Sequence, residues 1–155
     1  MWYGNDTLWR SILDINHMVY YTDKHGRMKN VPQRKVINIG DMIVCGDHEG
    51  PLHPSYKKVG GILFADNPVL FDLLVVRLMG FDWHKFPTLV NAVRDKKLNY
   101  DFFPSEESDV SAIDINKIDE ISIMSNDERF NKKIKDVYDN DLFHFVPTNG
   151  WKEYL

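Results

Sequence analysis

The stretch GGILFADNPVLFDLLVVRLMG at residues 60–80 decides the fold class of this chain. Its first six residues are almost wholly apolar, which is typical of a strand that is covered on both faces. Asn67 and Pro68 then mark a helix start, because asparagine caps free backbone N–H groups and proline suits the first turn. The run 68–79 is mostly apolar and ends at Gly80, a residue favoured just beyond a helix. A strand followed directly by a buried helix predicts an α/β protein.

Further elements flank this stretch on both sides. Residues 7–21 are predicted to form a helix with apolar residues at helical spacing, namely Leu8, Ile12, Ile15 and Val19, in a face widened by Trp9, Leu13 and Tyr20. Residues 35–45 predict an apolar strand, residues 86–97 a helix and residues 120–124 a short strand. The order of these elements favours an α/β fold with a small mixed or partly parallel sheet of about three to four strands, flanked by helices.

Length and composition limit the class of protein. The 155 residues predict a single domain over 1–155, and a hydrophobic fraction of 43% is ordinary for a globular chain. The net charge of −4 argues against nucleic acid as a partner. No apolar run reaches the ~18 residues of a membrane span, so we expect a cytoplasmic protein without membrane association. Cys45 is the only cysteine, which excludes an iron–sulfur cluster of the ferredoxin type.

The sequence GDHEGP at residues 46–51 is the leading candidate for a functional site. It follows a predicted buried strand, and ligands of open α/β sheets bind at that end of the strands. Asp47, His48 and Glu49 place two carboxylates and an imidazole in one loop, a set that suits a divalent metal or acid–base catalysis. The competing interpretation is a polar turn that uses its glycines for conformational freedom.

Two further positions extend this candidate site. Asp72 lies in the second turn of an apolar helix and is predicted to point back toward the strand end, where it acts in catalysis or holds the loop in shape. Asn67 lies at the N-terminus of the same helix, where free N–H groups suit an anion. Gly46 and Gly50 frame the loop, and together with Asn67 they are the predicted ligand-binding residues.

Four segments resemble the C-terminal half of the domain of unknown function 362 family, whose members are sometimes labelled putative iron–sulfur proteins. They are NDTLWR with the ILDIN that follows, PQRK leading to GDHEGP, NPVLFD with RLMGFD, and SNDERFN with the tail residues FVP and GW. The third segment, within residues 67–82, is the most specific. The loop departs from the pattern, because His48 and Glu49 stand where the family has glycine and asparagine.

The resemblance implies that the N-terminal half of the family domain is missing from this sequence. A small sheet with a nearly all-apolar helix leaves faces and edges to cover, so we expect a homo-oligomer or a partner chain that supplies the missing half. The leading functional hypothesis is a non-catalytic or partner-completed module. The alternative is a metal-assisted or acid–base enzyme that acts on a small anionic substrate, with Asp47, His48 and Glu49 as metal ligands or proton carriers and Asp72 as the residue that orients the loop.

Overall fold

The computed structural model describes residues 5–94, 119–137, 143 and 145–154. Helix α1 spans Asn5–Tyr21, strand β1 Asn38–Glu49, strand β2 His53–Ala65, helix α2 Pro68–Leu78 and helix α3 Pro87–Arg94. Short 3₁₀ helices follow at Trp83–Lys85, Glu128–Phe130, Ile134–Val137 and Asn149–Tyr154. The protein therefore mixes helices with a sheet, as the sequence predicts. Residues 95–97 of the predicted third helix lie outside the described residues.

The sheet is a long antiparallel hairpin. Strands β1 and β2 pair from Asn38 opposite Ala65 to Glu49 opposite His53, with an irregularity in the register between Met42 and Val44. Within the described residues the sheet contains these two strands, so the prediction of three to four partly parallel strands is not confirmed. The predicted strand at 120–124 contributes an isolated bridge between Ser122 and Lys133.

Helix α2 begins and ends where its sequence signals place it. The Asn67 side-chain oxygen accepts hydrogen bonds from the backbone N–H groups of Val69 and Leu70, at 2.9 and 3.1 Å. Gly80 adopts a φ of +81°, a left-handed conformation that glycine tolerates without steric cost. The helix is therefore fixed by local chemistry at both ends.

The core lies between the helices. Its buried cluster takes side chains from α1, α2, α3 and two of the 3₁₀ helices, namely Leu13, Val69, Leu73, Trp83, Leu89, Ala92, Val93 and Ile134. Leu73 is fully buried at its centre. No helix in the described part of the chain has the length and apolar character needed to cross a membrane.

Helix α1 packs through only one part of the wide apolar face that its sequence predicts. Leu13 and Tyr20 are buried, whereas Leu8, Ile15 and Val19 are exposed. Apolar residues cover more than half of the circumference of this helix, so periodicity alone finds the helix but not the side that contacts the core. The outcome leaves an exposed apolar stripe on α1.

Candidate functional site

The predicted site residues lie at the tip of the hairpin. Residues 46–49 continue strand β1, and residues 50–52 form the turn into β2, with a cis peptide bond between Gly50 and Pro51. The expectation of a loop at the carboxyl end of a parallel strand is thus wrong for these residues, because β1 turns back directly into an antiparallel partner. Ligands of open α/β sheets bind at the carboxyl ends of the parallel strands, and a turn between two antiparallel strands is a different place.

Asp47 is the best-connected residue of this group. Its side chain is only 4% exposed, and its Oδ2 lies 3.0 Å from Lys57 Nζ on the neighbouring strand. Its Oδ1 accepts hydrogen bonds from the backbone N–H of Val146 at 2.6 Å and from that of His48 at 2.9 Å. Since both oxygens are already occupied, Asp47 connects the hairpin tip to the C-terminal segment of the chain.

The C-terminal segment is held by further contacts with the same tip. The backbone N–H of His48 also donates to the Val146 carbonyl at 2.9 Å, and Lys57 Nζ lies 4.9 Å from the centre of the Phe145 ring. The Glu49 side chain accepts a longer hydrogen bond of 3.3 Å from the Asn149 N–H. We call Asp47, Lys57, Phe145 and Val146 the clasp.

His48 is an exposed side chain on a left-handed backbone. Its φ is +62°, and its Nδ1 lies 3.5 Å from Asp47 Oδ2. A left-handed residue other than glycine is uncommon, and here the two hydrogen bonds of its N–H group hold it in place. These contacts hold the backbone of His48 in place. Apart from Asp47, no described residue is placed beside its side chain as a second metal ligand or catalytic partner.

The electrostatic state of Asp47 follows from these contacts. Burial by itself raises the pKa of the Asp47 carboxyl, but Lys57 and the N–H groups of Val146 and His48 outweigh it and hold the pKa below its usual range. Asp47 is therefore ionised at neutral pH, and its charge is balanced by the Lys57 ammonium. A base or proton donor for catalysis needs a pKa nearer to neutrality.

Lowering the pH should therefore reduce the free energy of unfolding, because Asp47 becomes protonated. The folded pKa lies below the unfolded value of about 3.9, so this stabilisation is complete above that pH and is lost as the pH falls through the folded pKa. We expect urea unfolding to show a gap in stability between the wild type and Asp47→Asn that is constant from about pH 7 to pH 5 and narrows below about pH 4.

The stability of the variant has to be subtracted from that of the wild type at each pH, because other carboxylates titrate in the same pH range. Ion pairs lower the pKa of Glu120, beside Lys133 and Lys135, to about 2, and that of Asp127, beside Arg129, to about 2. Both groups are present in the wild type and in the variant, so their contribution cancels. A gap that stays constant down to about pH 2 would contradict the assigned role of Asp47.

Asp72 and Asn67 do not join the hairpin tip. Asp72 is an exposed residue of α2, although neighbouring atoms withdraw enough water from its carboxyl to raise the pKa. No hydrogen bond or ion pair links Asp72 to another described residue. Asn67 is buried, and its side-chain oxygen is used by the N–H groups that it caps. The prediction that Asp72 lies beside the 46–51 loop is therefore not confirmed by these contacts.

The predicted glycines have steric roles. A Cβ on Gly46 would lie 3.2 Å from the Cβ of Pro54, so this position favours a residue without a side chain. A Cβ on Gly50 would meet Pro54 at 3.9 Å, an ordinary contact. Neither observation indicates a ligand.

The geometry does not assemble a metal centre in the described part of the chain. No three side chains of His, Cys, Asp or Glu are placed there to hold a metal ion. Asp47, His48 and Glu49 are consecutive in a strand, so their side chains alternate between the two faces of the hairpin instead of converging. The possible divalent metal therefore stays a prediction without a matching geometry.

Sequence reasoning missed the partners of Asp47. Lys57 lies on the neighbouring strand, and Val146 is 99 positions away from Asp47. Lys57 and Asp47 share the inner face of the hairpin as diagonal neighbours, a relation that appears only once the register is known. No local pattern predicts which distant segment will donate a backbone N–H group.

The opposite side of the hairpin is apolar and exposed. We call this surface the outer face. Its apolar residues are Ile39, Ile43, Val44, Ile62 and Phe64, together with Ile37 just before β1, all more than half exposed. Ile39 and Phe64 lie directly opposite each other in the strand pairing and are 64% and 62% exposed. A group of exposed apolar residues of this kind is typical of an interaction site.

Comparisons with known proteins find no match for this chain. No protein-family model matches it, and no curated protein or solved structure matches it either. The fold and the two surfaces of the hairpin are therefore the observations from which a function can be argued.

Proposed function

We propose that this chain is a non-catalytic protein-interaction module, and that the outer face of the hairpin is the surface through which it engages another protein chain. The observation that carries this proposal is the exposed pair Ile39 and Phe64 with its apolar neighbours. Water contact with such a surface is unfavourable by roughly 25 cal/mol per Å², so covering it releases free energy.

The state of the polar residues supports a non-catalytic role. The Asp47 oxygens are used by the clasp, and the Asn67 oxygen is used by the cap of α2. Catalysis needs a polar group that is free to meet a substrate in a sheltered site. The alternative of a metal-assisted or acid–base enzyme on a small anionic substrate would depend on Asp72, whose carboxyl is partly shielded from water, but no hydrogen bond or ion pair links Asp72 to another described residue.

The expectations from resemblance and composition add little to this proposal. Because no family model matches the chain, the likeness to the domain of unknown function 362 family remains a prediction. The cytoplasmic location and the homo-oligomer or partner chain likewise remain predictions. The proposal is supported by the chemistry of the outer face and by the state of the polar residues.

Site-specific photocrosslinking tests the proposal. A benzophenone amino acid replaces Ile62 on the outer face in one variant and Met124, an even more exposed residue away from the hairpin, in the control. We expect irradiation of the variant at Ile62, in cells and after purification, to give one defined protein adduct. The control at Met124 should give none.

The identity of the adduct is read by mass spectrometry. A single adduct that depends on Ile62 and weakens when Phe64→Asp is added supports the proposal, since that change places a charge in the apolar surface. No adduct in either setting, or equal adducts from both positions, would overturn it.

A further inference from the structure

We infer that the occupant of the outer face is a second copy of this chain, and that two hairpins pack face to face into a four-stranded sandwich. This inference rests on the proposed function, since it names the partner of the same surface. Helix α2 supports the inner face of the hairpin, whereas the apolar outer face has no second layer among the described residues. Two copies supply the missing layer to each other.

The inner face of the hairpin is already committed to the molecule itself. A Cβ on Gly40 would lie 2.7 Å from the Phe71 ring of α2, so the helix rests directly on the strand there. At the tip, Asp47 and Lys57 hold the C-terminal segment. The hairpin cannot turn its outer face inward without breaking both contacts, so cover for that face has to come from beyond the described residues.

The size of the outer face suits a two-fold dimer. A fully buried apolar side chain removes roughly 60–120 Å² of apolar surface from water, and the six residues are each more than half exposed. Together they offer roughly 200–450 Å², and the exposed Tyr56 on the same side of β2 adds to this. One partner of a standard interface contributes about 800 Å², of which a little over half is apolar. The available apolar surface therefore approaches what a stable dimer needs.

Charge is also compatible with a copy of the same surface. A two-fold contact joins identical patches, so a patch must complement itself. Along the outer side of the strands, Asp41 lies opposite Ile62 and Lys58 lies opposite Val44, which gives one negative and one positive charge beside the apolar residues. These charges balance within each copy, and sheets of this kind stack with their faces about 10 Å apart.

Light scattering over a dilution series of the full chain tests the inference. For the wild type we expect a mass twice the chain mass of 18.2 kDa. Phe64→Asp should raise the dimer dissociation constant by roughly 100-fold or more, because each interface then holds two unpaired carboxylates. Ile15→Asp is the matched control, since Ile15 is comparably exposed but lies on α1. It should leave the mass unchanged.

The other outcomes distinguish a failure of the dimer inference from a failure of the proposed function. Since Phe64 is exposed, far-ultraviolet circular dichroism should show an unchanged fold for Phe64→Asp. A monomeric wild type up to about 100 μM would overturn the inference, and a crosslink from Ile62 to a different protein would then leave the proposed function standing. A dimer that Ile15→Asp disrupts and Phe64→Asp does not would place the contact on α1 and overturn the inference.

Discussion

Replacing Asp47 by alanine should lower the free energy of unfolding by about 3 kcal/mol. The change leaves the Lys57 ammonium and the Val146 N–H without their acceptor; the Lys57 side chain is only 21% exposed, and the Val146 hydrogen bond is partly buried. Leaving a buried charge without its partner costs about 3–5 kcal/mol, and the remaining exposure of Lys57 reduces this toward the lower value. The C-terminal segment should also separate from the hairpin tip.

Urea unfolding and hydrogen exchange measure the two consequences. The midpoint should fall, and the amide of Val146 should exchange much faster in Asp47→Ala than in the wild type. Glu49→Ala is the matched control, because Glu49 is a neighbouring carboxylate with only an exposed 3.3 Å contact to Asn149. We expect its effect to stay within about 0.5 kcal/mol. Equal effects of the two substitutions would contradict the clasp.

Replacing Leu73 by alanine should lower the free energy of unfolding by about 2–5 kcal/mol. Leu73 is 0% exposed and packs in the cluster that joins α1, α2 and α3. The truncation removes apolar contacts and leaves a cavity that the surrounding helices can fill only in part. The cost is therefore greater than the transfer of the lost atoms to water alone.

The matched control for this change is Leu52→Ala. Leu52 is 85% exposed at the hairpin turn, so the same loss of side-chain atoms should change stability by less than about 0.5 kcal/mol. Both variants are compared with the wild type at one fixed protein concentration, because association makes apparent stability depend on concentration. A small effect at Leu73 would show that the cluster collapses around the cavity, contrary to the packing described above.

The helices can be predicted from the sequence because their capping signals act locally. Asn67, Pro68 and Gly80 act on backbone groups within a few residues of themselves, and the structure uses Asn67 and Gly80 as predicted. The apolar periodicity of 7–21 likewise finds helix α1. The interpretation of residues 46–51 as a polar turn is correct for Gly50 and Pro51, because glycine and proline determine turns through their own backbone preferences, but residues 46–49 belong to strand β1.

Tertiary structure decided what these elements face. An apolar run in β1 and β2 is compatible with a strand covered on both sides, yet only the inner side is covered within the described chain. The role of Asp47 depended on a backbone N–H 99 residues away, and the role of Leu13 in place of Ile15 depended on how α1 settles against α3. Sequence by itself determined the helices, their caps and the turn, because those interactions are local. Strand pairing, the clasp and the exposed outer face were decided by packing between distant segments, whose free energy no local pattern contains.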